Sequence, residues 1–375
     1  MIFHELEYIS WAKSMPRADI NLARSGVDHC PPSLLKLSRR DLVTSLPVKY
    51  GYAPLTAAIA RRYGVSDDRV FTVSGGTSFA NWVACAAVLD GAAPGAEVLV
   101  ERPTYEPLLR IPGALGHRVR RFERSFENDY DVDVDRFARL ITRRTRLAIV
   151  SNLHNPSGAR VPMRTLRRMA TALARVGAFL LVDEVYLECL FRSRPESCVH
   201  AAGNVITTNS LTKAYGLDGL RAGWILGPTA IVRRAGIVND FMTNNGVAPG
   251  ERMALAAFRR QRAIDTRSHR ILDGNLARVR RFFERETRLR AFLPEGGNVV
   301  FPRLPAGLDG DRVARHLLRH HSTAVVPGRF FESPRHIRVS FGCRPSLLER
   351  GLANISRTLD VLTRQDGRDG QEGQD

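Results

Sequence analysis

The chain is short of several things, and each shortage removes a class of protein. Only five cysteines occur in 375 residues (Cys30, Cys85, Cys189, Cys198 and Cys343), an odd number never spaced CxxC. That argues against a disulfide framework or zinc ribbon and fits a reducing cytoplasm. No run of 18 apolar residues appears, so no membrane span is expected. The first ten residues carry His4, Glu5 and Glu7 and lack the basic-then-apolar order of a signal peptide. Internal repeats are absent. Lysine is the scarcest charged residue: Lys13, Lys36, Lys49 and Lys213 are the only four among 56 basic residues.

The remaining basic residues are arginines spread along the chain, giving a net charge of +18. They form no stripe interleaved with aromatics, so nucleic acid is not expected as a partner. The charge is suited to steering anionic small molecules and says nothing about fold. A metal is not expected either. His316, His320 and His321 share a helical stretch with Asp311, but no third ligand is evident and arginines surround them.

At 44% hydrophobic residues the chain can bury a large core, and its length suits one large and one smaller domain. Strand-like runs at Val70–Val73, Glu97–Glu101, Leu147–Asn152, Phe179–Val182, Asn204–Thr208 and Ala222–Leu226 alternate with helical stretches such as Phe79–Leu89 and Thr165–Val176. The pattern predicts an α/β fold with a mostly parallel wound sheet over residues 46–265. From Arg252 to Leu289 one long arginine-rich helical stretch is expected to bridge two domains. Short strands at Gly297–Arg303, Ala324–Val326 and His336–Ser340 alternate with helices beyond it. They predict a smaller α+β C-terminal domain over 266–364, completed by residues 1–45. The glycine-rich polar tail, 365–375, is expected to be disordered.

Four motifs carry chemistry. Ser210-Leu-Thr-Lys213 precedes a glycine-rich loop ending at Arg221. A chain that otherwise uses arginine keeps a lysine here, and only lysine offers an amine that can lose its proton. Arg221 offers a planar fork suited to phosphate, and Ser210 a hydroxyl. Asp183 ends an apolar strand, where wound sheets place ligands, with Tyr186 three residues later. Asn155, in His154-Asn155-Pro156, follows another strand; Asn-Pro-x-Gly is also a common turn, and His154 reads as a hydrogen-bonded loop histidine. Gly75-Gly76-Thr77-Ser78 joins a strand to a helix start, a backbone anion site that is neither a P-loop nor a dinucleotide fingerprint. Tyr105, after a further strand, can stack on an aromatic ring.

In order and spacing these motifs resemble those of the fold type I, class I and II aminotransferases, from about residue 45 to 345. The resemblance implies a pyridoxal 5′-phosphate cofactor held as a Schiff base by Lys213, which also moves the substrate's α-proton. It implies that Asp183 pairs with the cofactor's ring nitrogen, Asn155 and Tyr186 meet its ring oxygen, and Tyr105 stacks on the ring. Gly76, Thr77, Ser78, Ser210 and Arg221 fall at the phosphate. Arg338 matches the arginine that binds the substrate's α-carboxylate, with Asn155 and Gly26 near the substrate. Such enzymes are homodimers in which a tyrosine crosses to the partner's phosphate; Tyr50 is the match, and Tyr52 stays open as an alternative. Amino-acid and 2-oxo-acid substrates are implied. The same cofactor also supports elimination, decarboxylation and oxidative deamination, and the side chain of the substrate is not legible. Arg17 and Arg24 are the candidates for meeting a distal carboxylate.

Overall fold

The computed structural model describes residues 3–45, 51–190 and 195–369. In chain order its strands are β1 (Ile20–Asn21), β2 (Val70–Ser74), β3 (Glu97–Arg102), β4 (Arg118–Glu123), β5 (Thr145–Ser151) and β6 (Phe179–Asp183). They continue as β7 (Val205–Ser210), β8 (Ala222–Leu226), β9 (Val299–Val300), β10 (Thr323–Ala324), β11 (Val326–Pro327) and β12 (Ile337–Ser340).

Seven strands form one sheet in the order β2-β8-β7-β6-β5-β3-β4. Only β8 runs antiparallel to its neighbours. β3, β5 and β6 are apolar through their middles because helices cover both faces, while β7 buries Thr207, Thr208 and Asn209 among them. The carboxyl ends of β2, β5, β6 and β7 therefore meet one edge, and they end on Ser74, Ser151, Asp183 and Ser210. β8 begins at that same edge directly after Arg221. Such a crevice is where wound sheets bind ligands.

β4 is absent from the pattern-based expectation, and its sequence explains why. Arg118-Val-Arg-Arg-Phe-Glu has no apolar run because it is an edge strand. Its arginines are paired instead of packed: Arg120 to Glu97 at 3.1 Å, and Arg121 to both carboxylate oxygens of Glu332. Charged edge strands of this kind resist pairing with a second sheet.

The stretch expected as one helix from Arg252 is two, Ala248–Arg259 and Gln261–Arg285, separated at Arg260. Beyond them β11, β12 and β9 form a three-stranded antiparallel sheet, and β10 pairs in parallel with β1 from the N-terminal segment. The single strand expected at Ala324–Val326 is thus split between two sheets. The last helix, Pro345–Asp369, continues past Gln365, where the sequence suggested that order ends. No proline follows to stop it, and the helix extends into the polar stretch. Residues 370–375 lie outside the described residues. No described helix is long and apolar enough to cross a membrane.

Candidate active site

The first helix to consider, Gly76–Leu89, starts at the crevice and is buried along most of its length. Gly76 sits at φ +68°, and a Cβ there would lie 3.2 Å from Thr212 Oγ1 and 3.3 Å from Arg221 Nη2. Only glycine allows the chain to turn this close to the arginine. Thr77 Oγ1 bonds to Ser210 Oγ at 2.7 Å, while Arg221 Nη2 donates to the Gly75 carbonyl at 2.6 Å. A helix N-terminus, two hydroxyls and a guanidinium thus converge on one spot, as an anion site requires.

A cavity of about 230 Å³ opens beside it. Thr77, Ser78, Tyr105, Asn155, Asp183, Tyr186, Lys213 and Arg221 all line it. Of the other expected residues, Gly76 and Ser210 support its rim. Gly26 lines an adjoining cavity of about 220 Å³ that shares Lys213. Tyr50 lies outside the described residues. Tyr52 caps the helix Ala53–Tyr63, with the Arg252 guanidinium 4.9 Å from its ring centroid. A larger open groove of about 600 Å³ carries Arg61, Arg62 and Arg259 but no carboxylate, so it offers no comparable chemistry.

Asp183 is 4% exposed, and burial pushes its carboxyl up to about 6, against hydrogen bonds that favour the charged form. Those bonds come from Asn81 Nδ2 at 2.8 Å and the Val185 N–H at 3.0 Å, both uncharged donors. Asn81 is in turn held by the Thr208 hydroxyl. Across the cavity Lys213 is half-buried, and burial, helped by Arg338, lowers its amine to about 8. Its Nζ donates to Ser25 Oγ at 2.7 Å. Burial raises the phenols of Tyr105 and Tyr186 well above their ordinary range, so both stay protonated donors.

Arg338 is fully buried behind the cavity wall. Its Nη1 donates to Asn155 Oδ1 at 3.0 Å, and its Nη2 to Tyr8 Oη at 2.9 Å and the Ala23 carbonyl at 3.0 Å. Its Nε has no hydrogen-bond partner among the described residues. Every hydrogen-bond partner is uncharged, so Arg338 and Asp183 are buried ions of opposite sign without a direct counter-ion in those bonds. Buried ions are kept charged only at considerable cost unless something pairs with them. Both therefore fit a ligand with a cationic ring N–H and a carboxylate.

Sequence reasoning missed several residues. Tyr8, on the helix Glu7–Ser14, meets Tyr105 edge-on at 5.7 Å; nothing near it in sequence signals this. Asn81 carried a signal, an amide inside an otherwise apolar helix. Glu101 and Arg124 form a fully buried ion pair at 2.7 Å, and Glu101 also accepts from the Ser151 N–H and hydroxyl. Ser151 Oγ accepts from the Asn155 N–H at 3.1 Å, so the pair positions Asn155 through one serine. His154 does not line the cavity. Its Nδ1 lies 2.7 Å from Ser157 Oγ and its Nε2 3.0 Å from the Pro103 carbonyl, while burial holds the ring neutral. Arg17 is exposed, and Arg24 contacts His29 at the rim of the adjoining cavity.

A lysine whose amine is lowered by burial, a buried aspartate bonded only to neutral donors and an anion cradle thus meet at one cavity, a set suited to a phosphorylated aldehyde cofactor. Residues 32–355 match the model for aminotransferase class I and II. Capreomycidine synthase of Streptomyces vinaceus is 33% identical over 83% of this chain and 79% of that one. Arginine–pyruvate transaminase AruH of Pseudomonas aeruginosa is 30% identical over 66% and 64%. The solved PLP-dependent cyclase OrfR superposes with a TM-score of 0.85 at 26% identity, covering 96% of this chain and 98% of that one. The chain belongs to the class I and II aminotransferases, pyridoxal-phosphate enzymes that move an amino group between amino acids and 2-oxo acids.

Proposed function

We propose that this chain binds pyridoxal phosphate on Lys213 and transfers the amino group of an L-amino acid to a 2-oxo acid. One observation carries the reading: two buried, oppositely charged side chains, Asp183 and Arg338, whose hydrogen-bond partners are all neutral, flank a cavity entered by a lysine titrating near 8. Pyridoxal phosphate, when bound, supplies the electron sink that labilises bonds to the amino acid's α-carbon.

The chain's own groups do the rest. Gly76, Thr77, Ser78, Ser210 and Arg221 would hold the phosphate. Asp183 would keep the ring nitrogen protonated, and Tyr186 and Asn155 would donate to the ring oxygen. Tyr105 would wall the ring. Arg338 holds the substrate's α-carboxylate, so the Cα–carboxylate bond is pinned and the Cα–H bond is left to Lys213. Lys213 Nζ takes that proton with its lone pair and gives it back elsewhere. A homodimer in the cytoplasm, with Tyr50 or Tyr52 reaching the partner's phosphate, completes the reading.

The test is a half-reaction. An L-amino acid added to the holoenzyme without acceptor should yield one equivalent of its 2-oxo acid per site, and a second oxo acid should then be aminated. Release of ammonia or CO2 instead of an oxo acid would rule out transfer as the main reaction. A second reading, a PLP-dependent cyclase, is favoured by the similarity to capreomycidine synthase and OrfR. In that case a product forms catalytically from one substrate while no oxo acid accumulates.

Two further outcomes follow. Only the neutral amine attacks an aldehyde, so the rate at which cofactor-free protein captures pyridoxal phosphate should rise with pH and level off above about 8. Stopped-flow absorbance over pH 6 to 10 checks this; a flat profile would place the attacking amine elsewhere. Arg338→Lys keeps charge but loses the fork. Its kcat/KM should fall roughly 10- to 100-fold, as for one lost hydrogen bond to a charged group of about 1.5–3 kcal/mol, with cofactor retained. Unchanged kinetics would move the carboxylate site away from Arg338.

A further inference from the structure

We infer that Ser25 is a positioning residue for Lys213: its hydroxyl takes a hydrogen bond from the Lys213 amine and so aims the nitrogen lone pair that exchanges the proton. The inference rests on the reading of Lys213 given above. Among the described residues the contact with Ser25, at 2.7 Å, is the one hydrogen bond the amine makes. A neutral amine has two N–H bonds and one lone pair. Without a fixed acceptor it rotates about Cε–Nζ, and the lone pair faces the cavity only part of the time. An acceptor at a set position removes that freedom, which is worth a share of the barrier in any reaction limited by orientation.

The serine is unusually well placed to be that acceptor. Its hydroxyl forms part of the wall of both cavities that share Lys213. The Tyr186 phenol interacts with the same hydroxyl, so Ser25 stands between the amine and a second group of the site. The backbone around it is gripped from two sides. On one side Val27 N–H donates to the Lys213 carbonyl at 2.9 Å, and Cys30 N–H to that of Gly216 at 2.9 Å. On the other, Asn298 Nδ2 donates to the Ser25 carbonyl at 2.6 Å and Asp28 N–H to the Gly342 carbonyl at 2.7 Å. Gly342 is packed so tightly there that a Cβ would come 2.6 Å from the Gly26 carbonyl oxygen. Main-chain bonds and the Asn298 amide thus hold the Ser25 backbone in place without calling on its hydroxyl.

That separation makes the test clean. Ser25→Ala and Ser25→Thr are compared with the parent in two measurements. The first is the pH dependence of Lys213 acetylation by acetic anhydride in cofactor-free protein, read on the lysine peptide by mass spectrometry. An acceptor favours the ammonium form, so Ser25→Ala should lower the apparent pKa of Lys213 and Ser25→Thr should restore it. Arg338, Asp218, Asp183 and Arg221, the charges around the amine, are unchanged in both variants. The second is holoenzyme turnover: kcat should fall about tenfold in Ser25→Ala, the equivalent of one weak charged hydrogen bond, and recover in Ser25→Thr. An unaltered acetylation profile overturns the proposal, whether turnover drops or not, because a drop alone would mark a structural effect. Borohydride reduction of each variant with pyridoxal phosphate separates the two ideas. A label on Lys213 throughout leaves the functional reading standing while Ser25 is judged; a label on another lysine removes that reading itself.

Discussion

Lys213→Ala is expected to lose covalent attachment of the cofactor and to slow turnover by at least about 10³-fold, within the range that a positioned acid–base group contributes. The effect is large because the amine does two jobs that no neighbour can assume. The nearest basic groups are Arg338 and Arg221, and neither can shed a proton near neutral pH. Lys213→Arg should be as inactive as the alanine variant for the same reason, although it retains the charge. Borohydride reduction followed by peptide mapping should find no pyridoxyl label in either variant. A small primary amine added to Lys213→Ala should recover part of the lost rate, since it can enter the space the side chain vacates. Full activity in Lys213→Ala, or a stoichiometric label on Lys13, Lys36 or Lys49, would dismantle the assignment.

Asp183→Asn should separate stability from activity. In the cofactor-free protein Asp183 titrates near 6, above its ordinary 3.8, because burial penalises the carboxylate. A raised acid pKa is a cost to the folded state. The cost is absent below about pH 4, where both states are protonated, grows as pH rises, and is complete above 6. A rise from 3.8 to about 6 corresponds to roughly 3 kcal/mol as an order of magnitude. The asparagine variant carries no such charge. Asn81 can turn its amide to match, because the Thr208 hydroxyl on its far side can also accept. The cofactor-free variant should therefore unfold at a higher temperature than the parent at pH 7.5 and at about the same temperature at pH 4. With cofactor bound the order reverses for catalysis. A neutral amide cannot hold a proton on the ring nitrogen, and turnover should fall by about 10²–10³, as when a preorganised electrostatic partner is removed. Calorimetry with and without cofactor, beside a turnover assay, decides it. Equal melting temperatures for the two cofactor-free proteins at pH 7.5 would mean that Asp183 carries no buried charge.

Much of the cavity was legible because wound sheets obey a strong rule. Parallel strands that end on Asp183, Ser151 and Ser210 bring those residues to one edge whatever else the chain does. Lys213 stood out against an arginine-rich background, and glycine at 76 marked a turn. What escaped was long-range. Tyr8 reaches Arg338 across 330 residues of sequence, and no local spacing encodes that meeting. Nothing in the sequence marks Glu101 and Arg124 as partners until the fold buries them against Ser151. Asn81 could have been found, since an amide in an apolar helix needs a partner. β4 could not, because an edge strand that pairs its arginines has no apolar signature. Ser25 lay beside Gly26, the residue taken as the marker, and only the fold set its side chain on the lysine.

The assembly of the Arg338 clamp has a consequence for how the protein acquires its two affinities. Residues from 75 to 221 lie on or around a single sheet and, within one subunit, supply the groups proposed to meet the cofactor. The clamp instead needs Tyr8 and Ala23 from one end of the chain, Asn155 from the middle and Arg338 from the other end. Its chain-closure entropy falls due only when the termini dock, late relative to contacts made within the sheet. On the proposed reading, grip on the cofactor and grip on the amino acid would share only Asn155 and would be largely separable. On the proposed reading, a local opening that freed the N-terminal helix would loosen the second and leave most of the first in place, so a product could leave while the cofactor stays held.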